Sequence, residues 1–103
     1  MNNAFGLSEH DMDVLKSVLS SYSQVDEAII FGSRSKGNFR NGSDVDIALK
    51  GLELNLDIVS KISYTLNEET TMPYKFDILN YNSISNNELI DHINRVWISI
   101  YHS

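Results

Sequence analysis

Ile29-Ile30-Phe31-Gly32-Ser33-Arg34-Ser35-Lys36-Gly37 and, after a polar turn, Ser43-Asp44-Val45-Asp46-Ile47-Ala48-Leu49 decide how this chain is read. An apolar run, Ala28 to Phe31, stops at Gly-Ser, and a second strand-like run opens with two aspartates one residue apart. Successive side chains of a strand point to opposite faces. Asp44 and Asp46 therefore share one face, while Val45, Ile47 and Leu49 share the other. At ~3.3 Å rise per residue the two aspartates stand roughly 6 to 7 Å apart, within reach of one metal ion or of two about 3.5 to 4 Å apart. Aspartate is disfavoured in strands and repels a like neighbour, and a divalent cation removes both penalties.

Gly32-Ser33 supplies a complementary half. A glycine at a strand end lets backbone approach a ligand closely, and Ser33 to Lys36 can form a first helical turn whose free N–H groups suit phosphate. Arg34 and Lys36 add positive charge there. Anion-binding groups thus face a cation-binding pair.

The pattern Gly32-Ser33, ten residues, then Asp44-x-Asp46 resembles the signature of the nucleotidyltransferase superfamily that includes DNA polymerase beta, and the chain's short length resembles its minimal members. The resemblance implies that Gly32 and Ser33 hold a nucleotide's phosphates, that Asp44 and Asp46 hold magnesium, and that a third carboxylate stands on a following strand. Walker and Gly-x-Gly-x-x-Gly patterns are absent, which argues against P-loop and Rossmann readings.

The bulk properties fit one domain spanning residues 1–103, large enough for a single sheet with helices packed on it. At 42% apolar residues the composition is that of an ordinary globular protein. Without cysteine there is no disulfide framework and no thiolate metal site. No signal-peptide pattern follows Met1 and no apolar run nears the ~20 residues of a membrane span, so a cytoplasmic location and no membrane partner are expected. The formal charge is −6 with eight Lys and Arg, of which Arg34, Lys36 and Arg40 crowd the expected phosphate site. Direct nucleic-acid binding usually needs a basic face, so the charge favours a small nucleotide substrate and a protein acceptor.

Along the chain, residues 8–22 predict an amphipathic helix, with Ser8 and Asp11 as a capping box and Leu7 stapled to Met12. Asp26–Phe31 and Asp44 to about Lys50 predict strands, the second broken by Gly51. Leu54 to about Glu68 predicts a helix ending before Pro73, and Tyr74–Leu79 a strand. A strand, helix, strand connection of this length usually makes a parallel crossover, which would set Asp77 beside the Asp44 and Asp46 strand. A last helix is expected after Ser85, with Ser85 and Glu88 as a capping box and Leu89, Ile90, Ile93, Val96, Trp97 and Ile100 as its stripe. His10, His92 and His102 show no ligand spacing and are read as surface or incidental. The fold class is α/β (α+β), a small mixed sheet with helices on it, which matches what the resemblance implies.

Asp77 corresponds to the family's third carboxylate by position and apolar flanks. The resemblance then implies a magnesium-dependent nucleotidyl transfer from ATP. Asp44 and Asp46 would hold two magnesium ions, Asp77 would hold the second ion and help take the acceptor's proton, and Gly32, Ser33, Arg34 and Ser43 would contact the nucleotide. Lys36 and Arg40 are weaker candidates. Ser43 has no histidine or lysine base beside it and so is not read as a nucleophile. The minimal members resemble the antitoxin half of toxin–antitoxin pairs, which transfer AMP to a tyrosine of a HEPN-type ribonuclease toxin. Two other readings remain. One is a non-catalytic module that masks its partner, and the other is a transferase acting on a small-molecule hydroxyl.

Overall fold

The computed structural model describes residues 6–36 and 44–103. Helix α1, Glu9–Ser20, starts at Ser8, whose hydroxyl accepts from the Asp11 amide at 3.0 Å while the Ser8 amide donates to the Asp11 carboxylate at 3.2 Å. This is the expected capping box, and it satisfies two of the N–H groups that a helix start leaves open. Strand β1 is Glu27–Phe31, followed by the single turn α2, Ser33–Lys36. Strand β2 is Val45–Lys50, and Gly51 after it leaves room for the Gln24 carbonyl.

Helix α3, Leu56–Tyr64, begins two residues later than Leu54 because Asn55 caps it, accepting from the Ile58 amide at 2.9 Å. It runs into a wider π turn, Thr65–Glu69, and then strand β3, Phe76–Asn80. Helix α4 is Asn87–Val96 and strand β4 is Ile98–His102.

The four strands form one mixed sheet in the order β3-β2-β1-β4. β1 runs antiparallel to β2 and β4, and β2 runs parallel to β3, as the crossover through α3 requires. Both faces of the sheet are covered. One buries Ala28, Ile30, Val45, Ile47, Phe76 and Ile100 with Leu15 and Leu19 of α1 and Ile62 of α3. The other buries Ile29, Phe31 and Ala48 against Ile93 of α4. Double coverage explains why β1 reads as a continuous apolar run.

Two expectations change at the C-terminal end. Asn86, not Ser85, caps α4, accepting from the amides of Glu88 at 2.9 Å and Leu89 at 3.2 Å. The last helix also stops at Val96, because Trp97 adopts φ 26°, ψ 61° and turns the chain. Ile100, expected on that helix's stripe, lies instead in Ile98–His102, which pairs with the second edge of β1. A buried central strand has amides and carbonyls on both edges that need partners, and this demand outweighs local helical spacing.

Candidate active site

The site is a row across the sheet. β1 ends at Phe31, which stands opposite Asp46 of β2, and Asp46 stands beside Asp77 of β3. Paired positions share a face, so both carboxylates lie on the α4 side of the sheet. Asp77 and Asp44 are exposed and Asp46 is half-buried. Asn67 of the π turn holds the start of β3, next to Asp77. Its side-chain oxygen accepts from the Phe76 amide at 2.8 Å and its side-chain nitrogen donates to the Phe76 carbonyl at 3.0 Å. Asn67 thus stands in for a further strand at this edge.

Asp46 is electrostatically unsettled. Its carboxyl is raised above the ordinary aspartate range, first by burial and then by the charges of Asp77 and Asp44. A hydrogen bond shared with Asp77 adds to the effect. Among the described residues no three His, Asp or Glu side chains already stand at metal-binding separations, so Asp46 and Asp77 are the close pair and Asp44 acts on it by charge. The set offers only carboxylate oxygens, the hard donors that suit magnesium. A cation held there would relieve the repulsion that raises Asp46. The carboxylate chemistry of Asp46 and Asp77, with Asp44 nearby, suits such a cation, while no set of three among the described residues is arranged to hold it.

Gly32 closes the row. Its φ is +76°, and a Cβ built there would collide with the Asp46 carboxylate. Glycine is thus required twice, by conformation and by space. The Gly32 carbonyl accepts from the Ser35 hydroxyl at 2.6 Å, and its amide donates to Nε2 of His92 on α4 at 3.1 Å. The His92 ring also meets Phe31 edge to face, with ring centroids 6.3 Å apart. His92, read from sequence as incidental, is half-buried and sits at the turn. No spacing could flag it, because the contact joins residues 60 apart.

Arg34 is only 2% exposed, and its guanidinium lies 4.8 Å from the centre of the Tyr74 ring. The Tyr74 hydroxyl donates to the Asp11 carboxylate at 3.0 Å, which ties α2 to the α1 cap. Burial and the Asp11 contacts raise the Tyr74 hydroxyl's pKa, with Arg34 opposing them. Arg40 and Ser43 lie outside the described residues, as do the side chains of Ser33 and Lys36. No helix among the described residues is long and apolar enough to cross a membrane.

Comparison with known proteins bears on the fold and the family. A toxin–antitoxin crystal structure with AMP-PNP superposes with a TM-score of 0.74 at 17% identity, covering 90% of this chain and 74% of that one. A crystal structure of the toxin–antitoxin MntA-HepT gives 0.70 at 13% identity over 93% and 74%. A tri-AMPylated Shewanella oneidensis HEPN toxin in complex with MNT antitoxin gives 0.66 at 15% identity over 89% and 70%. At these identities the likeness is one of fold. A search of curated proteins finds no match. The family model described as polymerase beta, nucleotidyltransferase matches residues 13–103, which contain the whole row from Phe31 through Asp46 to Asp77, and the chain belongs to that family.

Proposed function

We propose that this protein transfers AMP from ATP to a hydroxyl, a tyrosine, of a HEPN-type ribonuclease toxin and thereby silences it. The observation that carries the reading is the juxtaposition of Gly32 with the carboxylates of Asp46 and Asp77 at one end of the sheet. The fold likeness to toxin–antitoxin complexes, one with AMP-PNP and one with a tri-AMPylated toxin, supports the choice of nucleotide and partner.

In this reading Asp44, Asp46 and Asp77 would hold two magnesium ions, which when bound would supply charge neutralisation at the triphosphate and a more acidic acceptor hydroxyl. Gly32 lets the backbone come close to the phosphates, and the first turn of α2 directs its amides at them. Ser33 and Ser43 would add hydroxyl contacts to the nucleotide. Arg34 holds α2 against Tyr74 and contributes positive charge from below the turn. Asp77, exposed beside Asp46, takes the acceptor's proton when the hydroxyl comes within hydrogen-bond reach. The oxygen of that hydroxyl forms a bond to the α-phosphorus, and pyrophosphate leaves.

The test is intact-mass spectrometry of the HEPN-type protein encoded beside this one, co-expressed with wild type and with an Asp44→Asn, Asp46→Asn variant. A gain of one or more AMP units with the wild type alone is expected. An unmodified partner that forms the same stable complex with both versions would replace transfer by masking as the mode of control.

A further inference from the structure

We propose that His92 is a positioning residue for the nucleotide site. Its Nε2 fixes the Phe31–Gly32 peptide so that the phosphate-facing turn stands against Asp46. The inference rests on the nucleotidyltransferase reading above and adds a residue outside the Gly-Ser and aspartate motifs.

Three observations converge on it. The Gly32 amide donates to His92 Nε2 at 3.1 Å, which requires that nitrogen to carry no proton and so places the ring proton of neutral His92 on Nδ1. The ring is braced edge to face on Phe31, the residue paired with Asp46, and the neighbouring Ile93 is fully buried on the sheet. The turn itself has no slack, because Gly32 is at φ +76° with the Asp46 carboxylate occupying the space of its absent side chain. Rotation of the Phe31–Gly32 peptide would therefore move the turn relative to the carboxylate that faces the ligand. Ser35 holds only the carbonyl side of Gly32. The amide side is held from α4, an element brought to the turn by the packing of Ile93 on the sheet.

An acceptor at the Nε2 position is what the amide needs, so the chemistry separates two substitutions. Glutamine can place an amide oxygen near that position, whereas phenylalanine keeps the ring on Phe31 and offers no acceptor. Wild type, His92→Gln and His92→Phe are titrated with AMP-PNP and magnesium by calorimetry, and the Gly32 amide is followed in a proton–nitrogen correlation spectrum. A lost hydrogen bond to a half-buried amide weakens binding roughly tenfold in His92→Phe, with His92→Gln within about threefold of wild type. The Gly32 amide signal is expected to shift in His92→Phe and to return towards its wild-type position in His92→Gln. Equal affinity in wild type and His92→Phe overturns the positioning role and leaves the nucleotidyltransferase reading standing. An equal loss in both variants also overturns it, because ring packing would then be what matters. Wild type that binds no nucleotide overturns both.

Discussion

Asp46 meets two opposed demands. Folding half-buries it between Asp77 and the charge of Asp44, which raises its carboxyl above the ordinary value of 3.8, while the proposed chemistry needs it ionised. A carboxyl raised in the folded state contributes its stabilisation fully below its unfolded pKa and loses it as pH rises through the folded value. Asp46→Asn is therefore expected to melt higher than wild type at pH 7 in the absence of ligand. Like-charge cross-strand neighbours cost on the order of 0.2–1 kcal/mol, which is roughly 1–8 °C for a domain of this size. The gain should shrink as the pH approaches 3.8. Thermal melts across pH check the sign, and transfer activity of the same variant should be lost. Gly32→Ala should act in the opposite direction. A non-glycine residue at positive φ costs about 1–2 kcal/mol, and the collision with the Asp46 carboxylate adds to it. A fall of roughly 5–15 °C in Tm is expected, together with loss of nucleotide binding. These residues were legible in the sequence because Gly-Ser and Asp-x-Asp are local patterns. His92 and the burial of Arg34 were not, since each depends on a partner far along the chain.

At the scale of elements, the strand, helix, strand crossover and the α1 cap could be read directly, because apolar period and capping residues agree there. The C-terminal end could not. Ile93, Val96, Trp97 and Ile100 fit a helical stripe, while Ile98, Ile100 and His102 equally fit a strand alternation, and only the open edge of β1 decides between them. Trp97 marks the switch. Its backbone lies in the left-handed region at φ 26°, and its indole meets Tyr81 with ring centroids 6.0 Å apart. The Lys50 ammonium lies 4.7 Å from the Trp97 ring centre and 5.0 Å from that of Tyr81. Trp97→Ala loses this packing and keeps the backbone strain, whereas Trp97→Gly loses the packing and relieves the strain. Glycine should therefore be more stable than alanine at this position by about 1 kcal/mol, the reverse of their order inside a helix. Urea denaturation of the two variants measures the difference, and alanine equal to or above glycine would show that the turn at Trp97 is unstrained.

For the whole molecule, a net charge of −6 and three neighbouring carboxylates at one end of the sheet make the free protein electrostatically incomplete. Self-repulsion of this kind lowers the stability of the compact state, and a ligand that binds only the folded chain recovers it. Magnesium with AMP-PNP should raise the Tm, since one ligand at a hundred times its dissociation constant adds about 2.7 kcal/mol, or roughly 10–20 °C here. Magnesium alone should give a smaller rise, because the carboxylates are then neutralised without the phosphate contacts of the Gly32 turn. Replacing two carboxylates, as in Asp46→Asn, Asp77→Asn, should raise the starting Tm and abolish most of the ligand-induced increment, as both effects draw on the same repulsion. Thermal melts of wild type and variant with magnesium alone, AMP-PNP alone and both together separate these contributions. An increment of the same size in wild type and variant would place the nucleotide elsewhere on the protein and detach the aspartate row from its binding.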